Sequence, residues 1–163
     1  MGTTRPVFTT SSAEETRRLG KLIGQRISSP IEIDLIGPLG VGKTVLAKGI
    51  AQGLGIDPDR VISPTYLVME CHQGRLPLIH LDLYRLRKRS DLLLLGLEGE
   101  ELEGAVVVIE WAERIPLELG LPRLEVRMSP TDEGKVRIEF LAADERAEEI
   151  MIGLTEEACQ PPA

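Results

Sequence analysis

Apolar positions recur along this chain at two different periods. Leu19, Leu22, Ile23 and Ile27 follow one another at three- and four-residue steps, the spacing of one helix face. Ser12 and Glu15 stand ahead of them in the S-x-x-E form of a capping box, so a helix is predicted over about 12–27, ended by Ser28, Ser29 and Pro30. A second helix is predicted from Lys43 to near Gly55 and Pro58, because Leu46, Ala47, Ile50 and Leu54 repeat the pattern. Between the two, IEIDLI at Ile31 to Ile36 is short, rich in β-branched residues and bounded by Pro30 and Gly37, which reads as a buried strand.

Further along, LPLIHL ends at Asp82, and AVVVI at Ala105 to Ile109 is the clearest buried strand, ending at Glu110 and Trp111. LEVRM (Leu124 to Met128) and KVRIEF (Lys135 to Phe140) alternate in polarity around a turn at Ser129 to Gly134, the pattern of an antiparallel hairpin. Asp144 to Leu154 make a last helix, and the final residues from 158 are expected to fray. Strands that alternate with helices predict a three-layer α/β fold with a mostly parallel central sheet and an antiparallel C-terminal hairpin. One domain is expected over 1–163, with no repeat and no linker.

With 42% apolar and 28% charged residues, the 163-residue chain falls among ordinary soluble globular proteins. Its net charge of −7 argues against a protein that coats nucleic acid by bulk electrostatics. Arg85, Arg87, Lys88 and Arg89 nevertheless form a local basic cluster, suited to a phosphate backbone, to an acidic partner or simply to a solvated loop. Cys71 and Cys159 are far apart and lack metal-ligand spacing; they read as buried or incidental thiols in a reducing compartment. The first twenty residues contain no apolar signal core, and no apolar run approaches the roughly 20 residues of a membrane span. A cytoplasmic protein without membrane contact is expected.

The chemistry concentrates at GPLGVGKT, Gly37 to Thr44, which satisfies G-x-x-x-x-G-K-[ST] between a predicted strand and a predicted helix. Glycines let backbone N–H groups at Gly40, Val41 and Gly42 approach a phosphate chain closely. The helix N-terminus adds a fixed positive partial charge, Lys43 suits the β and γ phosphates, and the Thr44 hydroxyl suits Mg2+. Leu39 and Val45 belong to the same binding segment. Asp82 and Glu110 each end a strand, where ligands bind in open α/β sheets, so either could hold the ion or polarise water. His80, two residues before Asp82, reads as a packed, hydrogen-bonded histidine supporting the site. Tyr84, Arg85 and Trp111 adjoin the candidate residues.

The order GPLGVGKT, SPTY, HLDLYRL and VVVIEW over Gly37 to Trp111 resembles the TsaE family, also called YjeE. The resemblance implies a P-loop ATPase that uses ATP and Mg2+, is weak alone, and supports TsaB and TsaD in forming threonylcarbamoyladenosine beside the tRNA anticodon. Contact with tRNA would come through that complex. The resemblance makes Lys43, Asp82 and Glu110 catalytic, Thr44 and Glu110 metal-binding, and Ser63, Pro64, Thr65 and Tyr66 a nucleotide-responsive switch loop. It also brings Ser12 loosely toward the adenine. The chain departs from the family pattern after SPTY, continuing LVMECH without the usual Thr and later aromatic. A small-molecule kinase is the alternative enzyme. A GTPase is disfavoured, because the base-reading N-K-x-D motif needs an asparagine and the chain has none.

Overall fold

The computed structural model describes residues 5–62, 68–93 and 100–158. The chain opens with strand β1 (Val7–Thr10), helix α1 (Ala13–Arg26), strand β2 (Ile31–Ile36) and helix α2 (Lys43–Gly53). Strands β3 (Met69–His72) and β4 (Leu78–Asp82) follow, then two short helices, α3 (Ser90–Leu93) and α4 (Glu100–Glu103). Strand β5 (Val106–Glu110), strands β6 (Arg123–Pro130) and β7 (Val136–Ala142), and helix α5 (Glu145–Ala158) complete it.

The seven strands form one sheet in the order β1-β7-β6-β2-β5-β4-β3. Its centre, β6-β2-β5-β4, is parallel, and β7, β1 and β3 add antiparallel edges. The predicted three-layer α/β architecture and its C-terminal hairpin are therefore the observed ones. Register places the functional strand ends side by side, with Leu35 and Asp82 both opposite Glu110. The two strand-end carboxylates of the site below come from that row.

Alternation along the strands divides the core in two. Ile31, Ile33 and Leu35 of β2, Val106 and Val108 of β5, and Val126 and Phe140 of the hairpin pack with α1, α2 and α5 on one face. Ile79, Leu81, Val107 and Ile109 pack on the other against Leu92, Leu102, Ala112 and Ile115. On the first face α1 and α2 touch backbone to backbone. A Cβ on Gly20 would lie 2.4 Å from the Leu46 carbonyl oxygen, and one on Gly49 would lie 2.1 Å from that of Arg17. Glycine at these positions is a condition of the contact.

Ser12 caps α1 as predicted, accepting from the Glu15 N–H at 3.1 Å. The Glu15 carboxylate, however, accepts from the Ser11 N–H at 2.6 Å, one residue earlier than a standard capping box would have it. Strands β1 and β3 are additions to the elements predicted from sequence. Cys71 lies on β3 and is exposed, so of the two readings, buried or incidental, burial is corrected for it: β3 is the outermost strand, with a neighbour on one side only. Cys159 lies outside the described residues. No helix among the described residues is long and apolar enough to cross a membrane.

Candidate functional site

Strand β2 delivers the chain into a tight loop at its carboxyl end, and α2 begins at Lys43. Gly37 starts that loop where it runs against β6: a Cβ there would lie 2.5 Å from the Met128 carbonyl oxygen. Gly40 and Gly42 have φ of 77° and 116°, left-handed conformations that side chains rarely tolerate. The space around the position of a Gly40 Cβ is open to 4 Å. Leu39, Gly40, Gly42, Lys43, Thr44 and Val45 then line a cleft of about 240 Å³ with Asp82, Glu110 and Trp111.

Lys43 is 5% exposed and lies folded over its own loop. Its Nζ donates to the carbonyl oxygens of Gly37 at 2.5 Å and Pro38 at 2.9 Å, and sits 4.0 Å from the centre of the Trp111 ring. Burial pulls its pKa below the ordinary lysine value, opposed by Glu110, Glu113 and Asp82. Trp111 reaches this place through a backbone bend: it follows β5 with φ 60°, the one positive-φ side-chain-bearing residue among those described. For so bulky a residue that conformation costs energy. Tyr84 leans on the Trp111 ring at 5.0 Å, and Arg114 crosses Tyr84 while donating to its backbone oxygen at 2.6 Å.

Thr44 and Glu110 meet across the cleft, with the threonine hydroxyl donating to Glu110 Oε1 at 2.9 Å. The other oxygen, Oε2, faces His80 Nε2 at 2.6 Å. His80 is wholly buried. Burial opposes its charge, but hydrogen bonding with Glu110 and the proximity of Glu70 outweigh this and carry its pKa up to about 9. Asp82 accepts from the Tyr84 N–H at 2.9 Å; burial raises its pKa, and that N–H bond works against the rise.

Of the residues singled out in the sequence, nine line the cleft together. Gly37 contributes a carbonyl to Lys43, and Val41 turns its side chain into the core while its N–H donates to Pro38 at 3.3 Å. That N–H therefore has a partner inside the loop, as the Lys43 ammonium does. Ser12 is occupied as the cap of α1 and is not among the cleft-lining residues. Arg85 is exposed. Ser63, Pro64, Thr65 and Tyr66 lie outside the described residues. The sequence reading passed over Glu70 and Arg114. The signal for Glu70 is its place directly opposite His80 in the β3–β4 register, which only a strand assignment for MECH would have exposed.

A larger cavity, about 310 Å³, is lined by Gln25, Arg26, Ser28, Ser29, Ile31, Arg146, Glu149 and Ile150. It lies at the amino end of β2, opposite the end where ligands bind in such sheets, and the glycine loop is not part of it. The smaller cleft is the better candidate because donors, a cation and carboxylates converge there.

A family model described as "Threonylcarbamoyl adenosine biosynthesis protein TsaE" matches residues 10–139. Among curated relatives, a tRNA threonylcarbamoyladenosine biosynthesis protein TsaE of Nostoc sp. is 40% identical over 131 residues, 78% of this chain and 80% of that one. The protein of that name in Mycobacterium bovis is 38% identical over 134 residues, 77% of this chain and 79% of its own. In three dimensions the chain is similar to the crystal structure of Bacillus subtilis YdiB, with a TM-score of 0.74 and 28% identity over 97% of this chain and 99% of that one. The matched region contains the glycine loop, both strand-end carboxylates and Trp111, and the chain belongs to the TsaE family, which is involved in tRNA threonylcarbamoyladenosine biosynthesis.

Proposed function

We propose that the cleft binds ATP with Mg2+ and hydrolyses it slowly, and that this turnover supports TsaB and TsaD in modifying tRNA. The observation that carries the reading is the meeting of Thr44 and Glu110 at 2.9 Å beside Lys43, at the amino end of α2. Hydroxyl and carboxylate oxygens are the donors Mg2+ takes, and it is commonly held by one or two side chains together with nucleotide phosphates. The residues present therefore fit the ion. Thr44 and Glu110 would hold it, directly or through water, with Asp82 at the adjoining strand end. When bound, it would neutralise charge developing on the phosphates.

The chain's own groups account for the rest. Lys43 exchanges two carbonyl partners for phosphate oxygens, while the exposed N–H groups of the loop and the start of α2 supply further donors. Asp82 or Glu110 orients the attacking water. Trp111, with Tyr84 against its ring, walls one side of the cleft. Arg114 is engaged with Tyr84 rather than with the cleft, so slow turnover alone, quickened by a partner, is the expectation.

Lys43→Ala and Thr44→Ala are each expected to weaken Mg-ATP binding or turnover at least about tenfold. Titration calorimetry with unchanged affinity, joined by unchanged turnover, would defeat the assignment. Asp82→Ala and Glu110→Ala should lower ATP turnover measured with purified TsaB and TsaD; full turnover in both would reject the carboxylate roles. A panel of small phosphoacceptors run beside it separates the alternative, since a stoichiometric phosphorylated product would mark a kinase.

A further inference from the structure

Lys43 has its partners inside the protein. Its Nζ donates to the Gly37 and Pro38 carbonyl oxygens, and the centre of the Trp111 ring lies 4.0 Å away, well within reach of a cation–π contact. An ammonium seated in this way has to leave the two carbonyls before it can meet phosphate oxygens, so whatever strengthens the seat lowers the apparent affinity for nucleotide. The ring is held in its turn. Trp111 has φ 60°, a conformation that a bulky side chain keeps only where its surroundings fix it. Tyr84 packs on the ring with centres 5.0 Å apart, within the usual range of aromatic pairs.

Arg114 binds both of these residues. Its backbone N–H donates to the Trp111 carbonyl oxygen at 3.1 Å, closing the turn at Ala112–Arg114. Its guanidinium donates to the Tyr84 carbonyl oxygen at 2.6 Å and lies 5.1 Å from the centre of the Tyr84 ring. Tyr84 and Trp111 follow the paired strands β4 and β5, so this one residue ties the two strand ends together. Arg114 is itself exposed and belongs to neither half of the core.

We propose that Arg114 is a positioning residue that keeps Lys43 seated: by fixing Tyr84 it fixes the Trp111 ring over the ammonium, and so restrains nucleotide binding in the cleft. This rests on the reading of the cleft as an ATP site. The sign of the effect separates such a role from a structural one. A disturbed fold loses nucleotide affinity, whereas a loosened seat gains it.

Arg114→Ala removes both side-chain contacts with Tyr84 and leaves the backbone bond to Trp111. Calorimetric titration should show this variant binding ATP about threefold more tightly than wild type, the size expected from loosening one cation–π contact. The gain should be the same with Mg2+ and in EDTA, because Lys43 meets phosphate in both. Arg114→Lys keeps a cation and a donor and should fall between. A second measurement needs no nucleotide. Trp111 is the only tryptophan in the chain, so its emission reports what lies against the ring. In Arg114→Ala that emission should move toward the emission of Lys43→Met, in which the ring has no ammonium beside it. Unchanged or weaker ATP affinity in a folded Arg114→Ala variant, or emission that stays at the wild-type value, would overturn the proposal. A wild-type chain that bound no ATP would instead overturn the reading of the cleft, and the emission would still decide whether Arg114 holds the ring on Lys43.

Discussion

Glu110 and Glu70 lie on the face of the sheet that α2 covers, with His80 between them, whereas Glu32 and Asp34 lie side by side on the opposite face of β2. All four carboxylates are largely withdrawn from water, yet their surroundings differ in sign. On the α2 face a buried imidazole compensates: burial alone would raise Glu70, but His80 and His72 bring its pKa below the ordinary value. On the other face the cation nearest Asp34 is Arg123, at 3.8 Å and 43% exposed. There burial, the Asp34 charge and an Asp34 hydrogen bond push Glu32 up to about 8, and burial foremost raises Asp34 as well. The lesson is that the sheet favours the charged form of Glu70, where buried imidazole accompanies it, and disfavours the charged forms of Glu32 and Asp34, where no buried cation does. Only the first arrangement is of use beside a phosphate site.

The harshest way to break this difference is to remove the buried cation. His80→Ala leaves Glu110 and Glu70 facing a void, and the loss of one partner from a buried ionic cluster costs about 3–5 kcal/mol. Urea unfolding should register a loss of that size. A loss below about 1 kcal/mol would mean that solvent reaches both carboxylates and that His80 compensates nothing.

The α2 face also differs in how closely its layers approach. Gly49→Ala puts a methyl group against the Arg17 carbonyl oxygen, where a Cβ would stand 2.1 Å away, and so forces apart the helix that carries Lys43 and Thr44. A cost of about 1–3 kcal/mol is expected from overpacking of this kind, read as a lower melting temperature together with weaker ATP binding. Unchanged values in both would show that the helices can slide apart freely.

Most of the α2 face was legible in the sequence. GPLGVGKT, the apolar periods of the two helices around it, and the strands ending at Asp82 and Glu110 are local patterns, and local patterns survive without coordinates. What was missed depends on pairing between distant segments. VFTT and MECH are four-residue edge strands, too short for their own periodicity to declare them, and Glu70 acquires a partner only when MECH pairs with LIHLD. The glycines of α1 and α2 are plain in the sequence, at Gly20, Gly24, Gly49 and Gly53, but their meaning needs the two helices to cross. The acidic residues of IEIDLI were visible too, within a run read as a buried strand. That both face the same side follows from strand alternation; that burial raises the pKa of both follows only from what packs over them.

The mildest test is also the one that separates the two faces by pH. Glu32 has a folded-state pKa of about 8 against an ordinary 4.5, so between those values the folded chain binds a proton that the unfolded chain releases. Folded stability at this site therefore falls as pH rises from about 4.5 to about 8, and levels off above. Glu32→Gln supplies a permanently neutral group of the same shape and removes that slope. Relative to wild type, the variant should gain stability steadily between pH 5 and pH 8, with a slope of no more than about 1.4 kcal/mol per pH unit. Glu70→Gln should show no such gain, because the group it replaces is charged in the folded protein across that range. Chemical unfolding at both pH values, with an offset for Glu32→Gln that stays constant, would mean that Glu32 is ionised in the fold and that the two faces treat their carboxylates alike.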